Sequence, residues 1–256
     1  MRERPIGMFD SGFGGVGVLA EAVRALPEED FIFVGDNARA PYGARAPEEV
    51  LRFTHEAVDK LIQMGCKAIV IACNTATSAA AAPLRQELTL PIIGMEPALK
   101  PASLMPGEGK ILVLATAVTL HLEKFQRLMA LYGKDAVPVP CPVLVEHVER
   151  GEVEGPLVEA SLRGLLAPFM DQPIKADVLG CTHYVFLRRT LAAVLPGVPL
   201  VDGNAGTIRQ LRRRLQEENL LRRQPDHKGS ATLLSSSEEA QSRMEAMLRY
   251  ALALPR

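Results

Sequence analysis

The sequence predicts an α/β protein of two similar domains, each a mostly parallel sheet flanked by helices, with a site in the cleft between them. Three observations carry this. Short apolar runs alternate with longer amphipathic ones along most of the chain. Several of the short runs are too apolar throughout to leave one face wet, which marks strands covered on both sides. Two of them end alike, as Val70-Ile71-Ala72-Cys73-Asn74-Thr75 and Val178-Leu179-Gly180-Cys181-Thr182-His183.

Taken in order, a first strand is predicted at Ile6–Phe9, between a charged N-terminus and a glycine-rich turn. Phe31–Val34 follows as an aromatic and β-branched run. Glu48–Met64 has the spacing of an amphipathic helix. Ala68–Ala72 is a wholly apolar strand, and Ala76–Leu88 is helix-like. Pro91–Gly94 and Lys110–Ala115 are strands separated by a break, Pro97-Ala98-Leu99-Lys100-Pro101 and Met105-Pro106-Gly107-Glu108-Gly109. Asp177–Gly180 and Val198–Asp202 complete a second unit, and Asp202-Gly203-Asn204-Ala205-Gly206 marks a second break. The tail then holds a helix, the strand Ala231–Leu234 and a last helix, returning to the first unit. The expected division is 1–97 plus 208–256 for the first domain and 98–207 for the second.

Composition excludes several classes. With 48% hydrophobic and 23% charged residues and a net charge of −1, the chain is globular and lacks the basic field of a nucleic-acid binder. Arg209–Arg223 is rich in arginine but interspersed with glutamate, the pattern of a solvated helix face. No apolar stretch reaches the roughly 20 residues that span a bilayer. The N-terminus has no signal-peptide core, so the cytoplasm is expected, where thiols stay reduced. The four cysteines form no CxxC pair, so neither a closed zinc site nor any other metal is expected.

Gly12-Phe13-Gly14-Gly15-Val16-Gly17 follows a strand and precedes a helix, with Asp36 about 20 residues on. That context fits a dinucleotide fingerprint. Against it, Asp10 and Ser11 put a carboxylate beside any pyrophosphate, and the two cysteines go unexplained. A carboxylate at the carboxyl end of a parallel strand lies where open α/β sheets bind ligands; the other use of Asp10 is as a helix cap. Pro41-Tyr42-Gly43 is either a plain turn or a carboxylate-binding loop.

Cys73 stands at a helix start, where aligned amides favour a thiolate. Cys66 and Cys141 read as buried small hydrophobes. Cys181 repeats the strand-end setting and adds His183 two residues on, close enough for acid–base work. Glu146 and Glu149 both lie where a carboxylate orienting His183 would be found. Two thiols from two halves suit a reaction at one carbon from opposite faces. A group on each face of one carbon can act as base on one side and acid on the other, exchanging roles in reverse.

Together these segments resemble the glutamate racemases of the cofactor-independent aspartate/glutamate racemase superfamily. The resemblance spans roughly residues 6–207. It rests on Phe9-Asp10-Ser11-Gly12-Phe13-Gly14-Gly15, Asp36-Asn37 with Pro41-Tyr42-Gly43, Ala72-Cys73-Asn74-Thr75-Ala76 and Gly180-Cys181-Thr182-His183-Tyr184. It implies interconversion of L- and D-glutamate without any cofactor, with D-glutamate destined for peptidoglycan, in a homodimer. It implies Cys73 and Cys181 as the acid–base pair, assisted by Asp10 and His183, and Glu149 as the supporting carboxylate. Asp10, Ser11, Pro41, Tyr42, Gly43, Asn74, Thr75, Thr119, Thr182 and His183 match substrate contacts. Racemisation of aspartate or another carboxylic acid is the alternative within the superfamily; a dinucleotide oxidoreductase using Gly12–Gly17 is the alternative outside it. The chain departs from the family pattern at His121-Leu122-Glu123-Lys124-Phe125, at Gly203, and at Ser235-Ser236-Ser237.

Overall fold

The structure, a computed structural model, describes residues 1–253. The first half contains β1 (Ile6–Asp10), α1 (Val16–Ala25), β2 (Phe31–Gly35), α2 (Pro47–Gln63), β3 (Ala68–Ile71), α3 (Asn74–Glu87), β4 (Ile92–Gly94) and α4 (Leu99–Ser103). There follow β5 (Lys110–Ala115), α5 (Ala117–His121), α6 (Glu123–Tyr132), β6 (Ala136–Pro140), α7 (Pro142–Glu149), α8 (Pro156–Leu166), β7 (Ile174–Leu179), α9 (Arg188–Val194) and β8 (Leu200–Asp202). The chain closes with α10 (Asn204–Glu217), β9 (Ala231–Ser235) and α11 (Glu238–Ala253).

The strands form two sheets, ordered β4-β3-β1-β2-β9 and β6-β5-β7-β8, and each adjacent pair is parallel. Reversed, the second order is β8-β7-β5-β6, which matches β4-β3-β1-β2 strand for strand. Cys73 follows β3 and Cys181 follows β7, the equivalent strands of two equivalent lobes. The resemblance between the two halves of the sequence is thus a repeated topology.

Side chains alternate across the first sheet. Met8, Val70 and Phe33 enter the larger core, while Phe9, Ile69 and Ile71 face a second core under α2 and α3. The larger core runs on through α1 into the second lobe, reaching Leu112, Leu114 and Leu179. Ile111, Val113, Ala176 and Val178 pack on the far side of the second sheet. Both sheets are therefore covered on both faces, which is why their strands are continuous apolar runs.

Strand β6 was not anticipated. Its sequence, Ala136-Val137-Pro138-Val139-Pro140, carries two prolines, which cannot donate to a ladder. The structure accommodates them because β6 is an edge strand paired only with β5. Strand β7 also starts earlier than expected, at Ile174. No helix among the described residues is long and apolar enough to cross a membrane.

Asp177, on β7, is fully buried and neither carboxylate oxygen has a hydrogen-bond partner. Burial pushes its pKa from 3.8 up to about 7, against the opposing pull of Arg188. Unfolded, the group ionises near pH 4; folded, it keeps its proton to about pH 7. The raised value means that stability is full below pH 4 and is lost as pH climbs from about 4 to about 7, by roughly 4 kcal/mol. Asp177→Asn removes that slope. We expect the variant's thermal midpoint to gain on the wild type between pH 5 and pH 8; an unchanged gap would show that the carboxyl ionises freely in the folded chain.

Candidate active site

Each lobe delivers its thiol at the carboxyl end of a strand beside the central one. The two sulfurs share one small cavity, lined also by Ser11, Pro41, Tyr42, Gly43, Asn74, Thr75, Thr116, Thr119, Val145, Gly180, Thr182 and His183. Its volume is about 20 Å³, room for a single water.

On the first lobe, Cys73 is the N-cap of α3, and its sulfur accepts the Ala76 N–H at 3.4 Å. The helix terminus expected there is present, but it does not win. Burial first, then the charge of Asp10, push the Cys73 thiol up to about 12, against the pull of Ser11 and Ala76. Cys73 therefore holds its proton. Its side-chain neighbour is the Ser11 hydroxyl, at 3.5 Å. Asp10 acts on it through space: the Asp10 carboxylate accepts the Gly12 N–H at 2.8 Å and the Thr182 hydroxyl at 3.1 Å. The cap of α1 is Gly15, so Asp10 tethers the glycine turn and reaches the other lobe. Burial raises Asp10 to about 6, opposed by the positive charge of His183.

On the second lobe, Cys181 is followed by a tight 3-10 turn, Thr182–Leu187, before α9 begins. The two thiol settings thus differ: Cys73 has a helix N-terminus and Cys181 has an imidazole. His183 Nδ1 lies 3.5 Å from the Cys181 sulfur, and Nε2 lies 2.5 Å from Glu149 Oε1. Burial works against a charged ring, but the Cys181 sulfur and the Glu149 carboxylate outweigh it and hold the His183 pKa well above its ordinary value. The charged ring of His183 therefore stands directly against the Cys181 sulfur. Of the two candidate glutamates, Glu149 meets His183; Glu146 is exposed beside Arg150.

The remaining contacts surround the thiols. The hydroxyls of Thr75, Thr116 and Thr119 form a triangle with edges of 3.0 to 3.2 Å across the lobes. The Asn74 amide is buried with neither its nitrogen nor its oxygen bonded, poised for a polar ligand. Tyr42 donates to Asp36 at 2.5 Å, and a Cβ at Gly43 would press on Thr116 at 2.7 Å. Thr116 and Val145 are additions to the sequence-based site, and Gly180 stood there only as part of the Cys181 motif. Thr116 carried a readable signal, a strand-end threonine capping the next helix by accepting the Thr119 N–H.

The glycine turn is not free for a dinucleotide. A Cβ at Gly12 would strike the Glu149 carboxylate, and one at Gly14 would strike Thr182 and the His183 backbone. These glycines let the two lobes touch. Asp36 is also committed, to Tyr42, to Arg39 at 2.6 Å and to the Ser236 hydroxyl at 3.0 Å. Ser235 donates to Asn37 at 3.0 Å, so the serines that depart from the family pattern brace the loop bearing Tyr42. His121, in another departure, is exposed.

Comparison with known proteins agrees with this geometry. The family signature of the Asp/Glu/Hydantoin racemases matches residues 15–211, more than half of the chain. A glutamate racemase of Clostridium perfringens is 46% identical over 243 residues, covering 93% of each chain. The glutamate racemase of Thermus thermophilus, solved with β-chloro-D-alanine, superposes with a TM-score of 0.82 at 37% identity, covering 100% of this chain and 96% of that one. The glutamate racemase of Francisella tularensis, solved with D-glutamate, gives a TM-score of 0.83 at 30% identity, covering 97% and 95%. The chain belongs to the Asp/Glu/Hydantoin racemase family, among relatives that are glutamate racemases.

Proposed function

We propose that this protein interconverts L- and D-glutamate by proton transfer between two thiols at the α-carbon, without a cofactor. The observation that carries the reading is that one cysteine from each lobe lines a single small cavity. The cavity is smaller than an amino acid, so substrate enters as the lobes part and is enclosed as they return. Enclosure removes water that would protonate the carbanion from either face. Cys73, holding its proton, is the acid on one face. Cys181, beside the charged His183, is the base on the other. In the reverse direction the roles exchange, with Asp10 and His183 accepting and returning protons and Glu149 fixing the imidazole. Ser11, Asn74, Thr75, Thr119, Thr182 and the Pro41-Tyr42-Gly43 loop hold the amino acid's polar groups.

The same reading divides the chain as 1–97 plus 208–256 and 98–207, supported by the strands that each sheet recruits. The resemblance adds a cytoplasmic homodimer that supplies D-glutamate for peptidoglycan. The test is L-glutamate in deuterated water with no added cofactor. We expect optical activity to decay as α-deuterium appears in both enantiomers. Retained optical activity, or decay with L-aspartate in place of glutamate, overturns the substrate assignment.

A further inference from the structure

The turn after α7 shows how the supporting carboxylate is aimed. The last carbonyls of a helix have no partner within it and carry partial negative charge. Here the carbonyls of Glu146 and His147 accept the Arg150 N–H, and that of Val148 accepts the Gly151 N–H. The carbonyl of Glu149 instead takes a hydrogen bond from Arg243 Nη1, at 2.6 Å. Arg243 lies on α11, in the lobe opposite α7, and its guanidinium sits 5.7 Å from the centre of the Phe13 ring. The side chain of the same glutamate reaches the same place: Oε1 accepts the Phe13 N–H at 3.2 Å and bonds His183 Nε2. One residue of the second lobe is therefore gripped twice by the first, at its backbone and at its carboxylate.

The turn is stiff enough to transmit that grip. His147 Nδ1 meets Glu152 at 2.6 Å, and the Glu152 N–H returns to the His147 carbonyl at 2.9 Å. Gly151 sits between them at φ 80°, a left-handed position that suits glycine. The bond from Arg243 is exposed to water, so it is cheap to break and remake. That suits a contact that must open whenever the lobes part.

We propose that Arg243 is a closure latch, a positioning residue that aligns Glu149, and through it His183 and Cys181, only when the lobes meet. The inference rests on Cys181 acting in proton transfer. Arg243→Ala is compared with Arg243→Lys, which keeps a cation at the helix end. Rates are measured with α-deuterated L- and D-glutamate separately, alongside thermal midpoints. For Arg243→Ala we expect kcat to fall by about tenfold, within the range that misplacing a catalytic group produces, with a smaller change in KM. The primary isotope effect should rise for one enantiomer, the one whose proton Cys181 removes, and not for the other. Arg243→Lys should recover most of the rate. A wild type that does not racemise glutamate would sink the underlying reading. A racemising wild type matched by Arg243→Ala in kcat and both isotope effects overturns the latch alone. So does a lower kcat accompanied by a fallen thermal midpoint and unchanged isotope effects, since that is loss of fold, not of alignment.

Discussion

Cys73→Ala abolishes racemisation, and Cys181→Ala abolishes it equally; each is expected to lower the rate by about 10³-fold or more. The reason is geometric. Every inversion uses both faces of the α-carbon, so removing either thiol stops both directions. What remains distinguishes the two variants. The surviving thiol still removes and returns a proton on its own face, and it exchanges that proton with solvent between events. In deuterated water, each variant should place α-deuterium in one enantiomer with retention of configuration, and the two variants should label opposite enantiomers. Labelling of the same enantiomer by both would mean that the sulfurs do not work from opposite sides. Cys66→Ala is the control. Cys66 is packed in the core under α2 and α3, burial pushes its thiol up to about 11, and it lines no part of the cavity. Its loss should leave the rate intact.

The second large effect comes from adding a single methyl group at Gly14. A Cβ there would lie 2.8 Å from both the backbone nitrogen and Nδ1 of His183, and closer still to the Thr182 hydroxyl. Gly14 has no left-handed backbone, so alanine itself is unstrained; the collision is with the opposite lobe. The lobes must then stop short of contact. Displacement of that size between reacting groups costs about 10²-fold, and we expect Gly14→Ala to lower kcat/KM by that order. The thermal midpoint should move far less, because the collision lies at the glycine turn and no apolar side chain is taken from the cores. Gly164→Ala, in α8 with nothing near its Cβ, should be fully active. Wild-type activity in Gly14→Ala would show that the turn and the second lobe need not touch during catalysis.

Much of this architecture is legible in the amino-acid sequence. Eight strands fell where apolar runs stood between amphipathic ones, because a sheet covered on both faces writes that pattern directly into sequence. Strand β6 was lost because its prolines argue against pairing, and only the sheet order reveals that it is an edge. The thiols were legible from their strand-end settings. Their environments were not: the helix terminus at Cys73 suggested a stabilised anion, while the burial that outweighs it depends on a lobe distant in sequence. The same limit applies to Glu149. Local sequence offered more than one carboxylate, and the choice is made by the turn of α7 and by contacts from Phe13 and Arg243. The glycine motif was visible too, but its partner was not; the atoms that occupy it come from Thr182, His183 and Glu149.

Cysteines able to move protons are ordinarily also easy targets for peroxide and for electrophiles. Here Cys73 and Cys181 are 5% and 8% exposed, in a space no larger than one water. Reaction of a cysteine with peroxide or an electrophile needs both access and the thiolate form. The closed protein denies access to both residues, and at Cys73 it withholds the thiolate by keeping the thiol protonated. If substrate enters by the lobes parting, as proposed, the sulfurs react only then, and glutamate that holds the lobes together is expected to protect the protein from alkylating reagents.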